Sequence, residues 1–599
     1  MPLLFLFLLF CVACPREQHQ TQKTYSTTPS SVPSVYPEPG AFGGERQMGN
    51  TALPNSFNPY LASDAASLSV IYQMFTGLTA YDALQQKLVP ALAERWEHNA
   101  EGTRYVFTLR PDLHWSDGHP LTAQDVVFTY NQVINNPLIP NNYRDFWAYQ
   151  QRFPRVEALN DLQVSFTLDK PFAPLLFNVM APILPAHLLA QDVVPDEQGK
   201  LPFFYRWNLD VKPEKLVVNG PWRLQYYRPG ERVVLEKNPH FYLKNAEGRR
   251  LPYLDRLVLM DVQSHQAALL RFRQGELDTY IMNPADYDLL AEEQEERQFT
   301  IYNLGPSPSS LFVMLNQSLA KDEQGKPLVD PVKSKWFRDL NFRKALAWSM
   351  DKSGMIDSIY KGRATPQYVH LNQHNPFFHT GLNDYPYDVE AARQLLRQSG
   401  FYWNEKQELF DAEGHRVRFE LTTNSANIER DATCSLLRRQ WRKLGIEVDY
   451  KPVTFSVLVQ KMHDSHRWEA MMVGLASNSL EPHFSSSRWR LDGRMHLFNM
   501  GNTKRFGTRA TQYAGWERQM ESLYQEASET LDPERRKDLY WRAQELEYAN
   551  LPYLYTVSET SLVAVSDRLG NIRPSIYGGS GLHQVNWNSP YHYLRSAEN

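Results

Sequence analysis

The stretch that decides the fold runs from residue 102 to residue 129 and reads GTRYVFTLR, then PDLH, then WSDGHPLTAQDVVFT. In Tyr105–Leu109 the bulkiest apolar side chains stand at every second position, as in a strand that is buried on one face. Asp117-Gly118 then predicts a tight turn. Thr122 is suited to cap a helix that carries Val126–Val127. A strand, a turn and a helix in succession predict a mixed α/β fold.

The same kinds of element continue outside this stretch. Residues 164–168 (VSFTL) and 232–236 (RVVLE) are β-rich runs bounded by polar or turn residues, so they predict strands. Asp388 is placed to cap a helix that ends before Gly400, and Asp532-Pro533 opens another. No repeat of solenoid period is present in the sequence, so we expect globular domains and not a repeat array.

Composition narrows the possible functions. The chain has 599 residues, which is more than one hydrophobic core usually organises. Its net charge of −4 excludes the basic footprint of a nucleic-acid-binding protein. Aromatic residues make up 13% of the chain. Bulky core packing explains that share, and a cleft lined with stacking rings would draw on the same residues.

The N-terminus predicts export. Residues 3–13 are apolar and end at Cys14, and this run is too short for a membrane-spanning helix of ~20 residues. It resembles a bacterial lipoprotein signal, in which the Cys after a small residue becomes lipidated, although no Lys or Arg precedes it. We therefore expect a signal peptide at 1–13, a lipid on Cys14 and a disordered tether over 14–44, where Gln, Thr, Ser and Pro dominate.

Motifs of catalysis are missing from the sequence. It has no G-x-S-x-G elbow, phosphate-binding loop, H-E-x-x-H zinc motif or dinucleotide fingerprint. His370, His374 and His379 come nearest to a metal site, but Asn375-Pro376 interrupts the helix that would align them. We expect these to be solvent-facing loop histidines, and we predict no catalytic residue, metal or cofactor. A secreted hydrolase stays an alternative, because glycosidase-type carboxylates leave no short signature.

Short segments along almost the whole chain resemble one family, the family 5 extracellular solute-binding proteins, which are peptide-, dipeptide- and nickel-binding receptors of ABC importers. Besides 102–129, the matching segments are 58–61 (NPYL), 75–78 (FTGL), 92–96 (LAERW), 183–188 (ILPAHL), 219–224 (NGPWRL), 251–255 (LPYLD), 275–278 (GELD), 341–346 (NFRKAL), 360–364 (YKGRA), 444–448 (LGIEV) and 551–553 (LPY). Matches in this number and order indicate membership of the family.

The resemblance implies a two-lobe periplasmic-binding-protein fold of the large type. Two connections cross between the α/β lobes, and an extra subdomain lies on the first lobe. By analogy, lobe I comprises 45–58, 206–315 and 556–599, the extra subdomain 59–205, and lobe II 316–555. The lobes would close on a ligand like a flytrap, which is a population shift towards the closed form.

The resemblance also implies where a ligand would bind. In peptide-binding relatives the cleft takes the peptide as an added strand through main-chain hydrogen bonds, which tolerates many side chains. The residues of this chain that match those cleft segments are Thr76, Gly77, Leu78, Tyr280, Asn283, Phe312, Met472, Gly474, Ala476, Asn478 and Glu481. For Tyr280 and Phe312 ordinary core packing is the alternative.

Two of these positions depart from the family pattern. Asn478 stands where relatives that grip a peptide's α-amino group have Asp, and Met472 stands where some oligopeptide receptors have Arg. A neutral hydrogen bond replaces a charged one only in part. A buried ammonium at this place would therefore need Glu481 or another acid as its counter-charge.

The predicted function is that of an extracytoplasmic, monomeric receptor that captures oligopeptides or peptide-like ligands for an ABC permease with its ATPases. We expect it in the periplasm or on the outer face of the cytoplasmic membrane, held by its lipid. An oligosaccharide receptor of the same fold is the first alternative, since sugar rings stack on aromatic side chains without charged anchors. A receptor that signals occupancy without transport is a further one.

Overall fold

The structure is a computed structural model, and it describes residues 40–62, 64–147, 153–425, 427–475, 480–500 and 513–595. Within these residues the strands form three larger sheets and three two-stranded ribbons. Each larger sheet belongs to a different part of the predicted architecture.

The first sheet contains a parallel centre with antiparallel edges. β1 is parallel to β10 and to β11, and the remaining strand pairs are antiparallel. In spatial order its strands are β12 (Phe299–Pro306), β21 (Val557–Ser566), β11 (Thr279–Met282), β1 (Glu45–Asn50), β10 (Arg256–Asp261), β9 (Arg232–Lys237) and β8 (Trp222–Arg228), with β14 (Ala364–Pro366) paired to β21.

The second sheet is also mixed. β17 is parallel to β18 and β19, whereas β13 is antiparallel to β19 and β20. Its strands in spatial order are β18 (Glu447–Val453), β17 (Arg418–Asn424), β19 (Ala470–Leu475), β13 (Ser310–Leu315) and β20 (Tyr553–Tyr555).

The third sheet is antiparallel and lies within the predicted extra subdomain. Its strands in spatial order are β4 (Ala93–His98), β5 (Arg104–Leu109), β7 (Gln163–Thr167) and β6 (Arg155–Asn160). The two-stranded ribbons are β2 (Thr79–Asp82) with β3 (Lys87–Pro90), β15 (Tyr402–Trp403) with β16 (Leu409–Phe410), and β22 (Leu569–Gly570) with β23 (Tyr593–Leu594).

Helices cover the sheets. The α-helices are α1 (Ala65–Met74), α2 (Ala123–Phe128), α3 (Asn142–Trp147), α4 (Leu175–Asn178), α5 (Ala186–Leu189), α6 (His265–Arg273), α7 (Tyr287–Arg297), α8 (Pro331–Arg338), α9 (Leu340–Trp348), α10 (Lys352–Tyr360), α11 (Val389–Gln398), α12 (Ile428–Arg442), α13 (Phe455–Gln460), α14 (Ser486–Trp489), α15 (Gly515–Glu529), α16 (Pro533–Asn550) and α17 (His583–Asn586). π-helical turns occur at Thr129–Ile134 and Lys461–Ser465, and 3₁₀ turns at Pro202–Tyr205, Pro213–Lys215, Pro284–Asp286, Pro482–Ser485, Leu497–Asn499, Ile576–Gly578 and Ser589–Tyr591.

The elements predicted around residue 102 are confirmed. The alternating run forms β5, and its Phe107 and Leu109 are fully buried. Thr122 caps α2, and Asp125 returns the bond by accepting from the Thr122 amide, so the pair forms a capping box. Asp388 likewise caps α11, and Asp532 caps α16. Local hydrogen-bonding chemistry thus fixed where these helices begin.

Two connections cross between the first and second sheets, as the predicted fold class requires. The chain leaves β12 at Pro306 and enters β13 at Ser310, and it returns from β20 to β21 through Thr556. The two crossings are bonded side by side, because the Ser307 amide donates to the Glu559 carbonyl at 2.7 Å.

The predicted lobe I boundary at residue 315 differs from the sheet pairing. β13 pairs with β19 and β20 of the second sheet, so the crossing occurs at 307–309. The alternation of apolar residues in a strand does not tell which sheet the strand joins. The pairing of β14, from the predicted lobe II, with β21 of the first sheet has the same explanation.

The predicted tether also ends earlier than residue 44. Gly40 is buried, and a Cβ at this position would lie 2.8 Å from the rings of Tyr253 and Tyr593. The Gly43 amide donates to the Tyr253 carbonyl at 2.9 Å. Residues 40–44 therefore belong to the folded body, and the rest of the predicted tether and signal lies outside the described residues.

Candidate functional site

A large cavity, lined by described residues, lies between the parts of the molecule that carry the three larger sheets. Its volume is about 2920 Å³, and residues from 49 to 591 of the sequence line it. Pockets for drug-sized ligands usually measure ~300–1000 Å³, so this space suits a ligand several times larger.

The wall from the first sheet is built on the carboxyl end of β1 and on the first residues of β11, which lie beside it. Gly49 and Asn50 lie at the end of β1, and Thr279 and Tyr280 belong to β11. Ligands of α/β sheets bind outside such strand ends, since the chain turns away there and leaves a crevice.

The second sheet contributes its wall in the same way. Gly474 and Leu475 end β19, and Arg430 stands in the first turn of α12, which follows β17. The helix that follows β18 is α13, which places Phe455 at the cavity, and Met462 of the π-helical turn after it lines the cavity as well. The two mixed sheets therefore direct equivalent ends at one space.

Aromatic rings and a few polar groups complete the lining. The rings include Tyr72, Tyr81, Trp96, Tyr242, Tyr577 and Trp587. His583 lies 5.3 Å from the ring of Tyr72, and burial lowers the pKa of His583 to about 4. Its imidazole is therefore neutral near pH 7 and can exchange hydrogen bonds with a polar ligand.

Direct contacts between the predicted extra subdomain and lobe II close the cavity on one side. We call this set of contacts the clasp. The ring of Phe146 meets Phe484 edge to face at 4.3 Å. The Ala173 amide donates to the Ser528 carbonyl at 2.8 Å, and next to it Lys170 pairs with Glu529 at 2.8 Å. The His483 Nε2 lies 3.1 Å from the Phe146 carbonyl oxygen. The clasp joins parts that the predicted flytrap motion would separate.

Five of the predicted site residues lie in the cavity wall: Thr76, Gly77, Tyr280, Gly474 and Glu481. The backbone of Thr76 is fixed in both directions by the side chain of Asn219, at 2.8 and 3.1 Å. A Cβ at Gly77 would lie 2.4 Å from the backbone of Met180, so only glycine permits this approach. Ligand contact by these residues stays a prediction.

Four other predicted residues are not brought to the cavity wall. Leu78, Phe312 and Met472 are fully buried in hydrophobic cores, and Asn283 precedes the 3₁₀ turn that follows β11. Phe312 packs against Tyr553 at 4.7 Å, as the core alternative required. Core packing accounts for the burial of Leu78, Phe312 and Met472. Ala476 and Asn478 lie outside the described residues.

Glu481 is already neutralised by the protein. Its Oε1 accepts a hydrogen bond from Arg536 at 2.7 Å, and the Tyr540 hydroxyl lies 3.3 Å from the same oxygen. Burial alone would lower the pKa of Arg536, but Glu481 outweighs burial and holds that pKa above its usual value. The carboxylate is thus committed to a buried pair, which disfavours it as the counter-charge of a ligand ammonium.

A polar network in the lobe II wall was not found from the sequence. The Nδ1 of His370 lies 2.6 Å from Glu547, while the Tyr524 hydroxyl lies 2.9 Å from its Nε2. Ser485, from the segment after Pro482, is 3.3 Å from the same Nε2. His370 and Ser485 line the cavity. Side chains from the 3₁₀ turn Pro482–Ser485, from α15 and from α16 meet here, and no short spacing in the sequence reveals such a meeting.

The expectation that His370 faces solvent is wrong, because its ring is buried against Trp489 at 5.3 Å. Within the ranges that the structure describes, no group of three or more His, Cys, Asp or Glu side chains is arranged to hold a metal ion. Cys434 is buried and forms no disulfide with a described residue.

Comparison with known proteins agrees with this architecture. The profile of the bacterial extracellular solute-binding proteins, family 5 Middle, matches residues 87–496. A probable ABC transporter-binding protein of Deinococcus radiodurans is 26% identical over 91% of this chain and 93% of its own.

Two proteins with solved structures share the fold. The oligopeptide-binding protein AppA of Bacillus subtilis, solved with a nonapeptide, superposes with a TM-score of 0.73 over 93% of this chain and all of its own, at 20% identity. The periplasmic binding protein MelB of Agrobacterium fabrum, solved with stachyose, gives a TM-score of 0.76 over 93% of this chain and 85% of its own, at 17% identity.

The profile spans more than half of the 599 residues, and the strand order, the two crossings and the interlobe cavity agree with it. The chain belongs to the bacterial extracellular solute-binding proteins of family 5.

Proposed function

We propose that this protein is the extracytoplasmic binding protein of an ABC importer and that it captures oligopeptides or peptide-like ligands in the interlobe cavity. The observation that carries the proposal is the cavity of about 2920 Å³, whose walls come from both lobes and the extra subdomain. A ligand that touches all three favours the closed arrangement, because only that arrangement gives it every contact.

The cavity fits an extended, varied ligand. Its walls are built on backbone at strand ends, with Thr76 and Gly77 on one side and Gly474 on the other. Recognition through main-chain groups does not depend on ligand side chains. AppA of B. subtilis, which shares the fold, was solved with a nonapeptide in place.

Calorimetric titration of the full chain with mixed-sequence peptides, from dipeptides to nonapeptides, tests the proposal. We expect saturable binding of one peptide per chain and no binding of stachyose or of free amino acids. If stachyose binds and peptides do not, the ligand class is oligosaccharide and the peptide proposal is wrong. The ring-lined cavity and the fold shared with MelB would then support an oligosaccharide receptor.

We further propose that the receptor is anchored by a lipid on Cys14 and acts outside the cytoplasm. Its family is extracellular, and no helix among the described residues is long and apolar enough to cross a membrane. In detergent-phase partitioning of cell extracts, Cys14→Ala should move the protein to the aqueous phase. Cys11→Ala, the control in the same leader, should leave it in the detergent phase. Aqueous partitioning of the unaltered chain would contradict the anchor.

A further inference from the structure

A second concave surface lies on lobe II, between α10 and α12. Its volume is about 670 Å³, which is the size of a pocket for a small molecule (~300–1000 Å³). The residues that line it include Ile359 of α10 and Ser435, Leu436, Arg438, Arg439 and Arg442 of α12. We call this surface the arginine groove.

The arginine groove is separate from the interlobe cavity. Arg430, in the first turn of α12, lines the cavity, whereas the three arginines of the groove lie near the end of the same helix. A rise of 1.5 Å per residue places them about 12–18 Å further along the helix axis. A ligand of the arginine groove would therefore not occupy the cavity.

The three arginines of the groove are exposed and unpaired. None of their side chains forms an ion pair or a hydrogen bond with another described residue, and no described residue that lines the groove is acidic. Other arginines on lobe II differ, since Arg416 pairs with Glu447 at 2.8 Å and Arg418 with Asp449 at 2.7 Å. The groove is thus a local concentration of positive charge on a chain whose net charge is −4.

The groove offers hydrogen-bond donors and no carboxylate among its described residues. Ser435 adds a hydroxyl without a described partner. Asp431, one turn before it, accepts from the Tyr450 hydroxyl at 2.6 Å and does not line the groove. Guanidinium forks match the oxygens of a phosphate group, and the half-buried Ile359 and Leu436 add apolar surface beside them. The groove therefore suits a phosphate group that belongs to a larger organic molecule.

A purely structural role accounts for part of this charge. Basic side chains in the last turn of a helix stabilise the negative end of its dipole, and Arg439 and Arg442 stand there. That role predicts an effect on the free energy of unfolding and none on binding. It does not explain why Arg438 joins them in the groove.

Anionic phospholipid is the phosphate source that the rest of the chain favours. In the proposed anchor, 25 residues separate Cys14 from Gly40, where the described residues begin. A flexible linker of this length spans about 25–30 Å, so the lipid would keep the folded body close to the headgroups. A basic patch that meets an anionic membrane reinforces an anchor of this kind.

We propose that the arginine groove binds the phosphate headgroups of anionic phospholipids and so holds lobe II against the membrane that carries the anchor. Such a contact does not depend on what the interlobe cavity binds. Each arginine near an anionic membrane surface strengthens binding about fivefold, so the three together should strengthen it about 100-fold.

Co-sedimentation of the full chain with vesicles tests the proposal. The chain carries Cys14→Ala, so that no lipid anchors it. The vesicles contain phosphatidylcholine alone or in equal parts with phosphatidylglycerol, and we expect binding to the second kind. The triple variant Arg438→Gln, Arg439→Gln, Arg442→Gln should bind those vesicles about 100-fold more weakly.

The matched control combines Arg155→Gln, Arg418→Gln and Arg535→Gln. These arginines are exposed, pair with carboxylates and lie outside both the cavity and the arginine groove. The control loses the same charge and should bind the vesicles as the unaltered arginines do. Equal weakening of the two triple variants would show a general attraction to anionic vesicles and would overturn the proposal.

Arginine-selective labelling gives a second measurement, which needs no change in the groove and so decides even if the first triple variant fails to fold. Phenylglyoxal reacts with exposed guanidinium groups, and mass spectrometry of the digested chain locates the products. Vesicles with phosphatidylglycerol should slow the labelling of Arg438, Arg439 and Arg442 and leave that of Arg155 unchanged.

Labelling that the vesicles do not slow, or equal binding to the two kinds of vesicle, overturns the proposal. Protection by inorganic phosphate without protection by vesicles would assign the groove to a soluble phosphate compound, and protection by polyglutamate alone would assign it to an acidic protein. Either result overturns the membrane contact. All of these outcomes leave peptide capture in the cavity intact.

Discussion

At the scale of single residues, the buried pair of Glu481 and Arg536 makes the first prediction. Glu481→Gln should lower the free energy of unfolding by about 3–5 kcal/mol, because it leaves the guanidinium of Arg536 buried without its charge partner. Chemical denaturation followed by tryptophan fluorescence measures this loss.

The matched control is Glu526→Gln, since Glu526 pairs with Arg535 at 2.9 Å on the surface. Exposed pairs contribute about 0–1 kcal/mol, so this change should be small. Equal losses in the two variants would contradict the structural role of Glu481. Binding of N-acetylated and free peptides should keep the same ratio in Glu481→Gln, because its carboxylate is committed to Arg536.

A second prediction concerns the pH dependence of stability through His483 in the clasp. Burial lowers the pKa of His483 from 6.5 to about 4. Between these values the unfolded chain binds a proton on this side chain and the folded chain does not, so the free energy of unfolding falls as the pH falls. The loss from this group reaches about 3 kcal/mol and is complete below pH 4.

His483→Gln should make the free energy of unfolding depend less on pH between pH 6.5 and pH 4 than it does in the unaltered chain. Denaturant titrations at a series of pH values give both slopes. An unchanged slope in His483→Gln would show that its imidazole is not buried in the folded chain.

At the scale of secondary-structure elements, the clasp predicts how tightly the extra subdomain holds lobe II. The edge-to-face contact of Phe146 and Phe484 is of a kind that contributes about 1 kcal/mol, so Phe484→Ala should raise the open population about fivefold. The Ala173 amide, which donates across the clasp to Ser528, should then exchange its hydrogen about fivefold faster.

Phe410→Ala is the control for this experiment. Phe410 stacks on Tyr402 at 5.8 Å in the ribbon β15–β16, away from the clasp, so exchange at Ala173 should not change. Exchange that is already fast in the unaltered chain would mean that the clasp is open without ligand.

The elements near residue 102 could be predicted because their causes are local. The alternation in β5 and the capping side chains of Thr122 and Asp388 act within a few residues. The sheet that β13 joins is decided by its partner strands β19 and β20, which lie more than 150 residues away in sequence. The network around His370 was missed for the same reason, since distant segments bring its side chains together.

Sequence matching placed Gly77 and Gly474 in the cavity wall, and their contact with a ligand stays a prediction. Family matching could not separate residues in the wall from those beneath it, because a match in sequence does not tell whether a side chain faces the cavity or the core. Phe312 and Met472 are examples, since both are buried in hydrophobic cores.

At the scale of the whole molecule, we expect the two crossings to act as the hinge when the clasp opens. Linking Lys170→Cys to Glu529→Cys with a short bismaleimide should hold the empty receptor closed. Peptide association should then be slower than in the unlinked double variant, because entry needs the lobes to separate.

Peptide loaded before the linkage should be retained through dialysis. The unlinked double variant is the control for the substitutions themselves. Equal association rates with and without the linker would show that peptide reaches the cavity by a route that needs no clasp opening.

The central claim is that the cavity encloses a guest that leaves chemically unchanged, and native mass spectrometry of the full chain with a defined peptide tests it most directly. We expect one intact peptide per chain, released by denaturation at its original mass after prolonged incubation. Recovery of shortened or hydrolysed peptide would show a catalyst, and the absence of any bound peptide would contradict a peptide receptor.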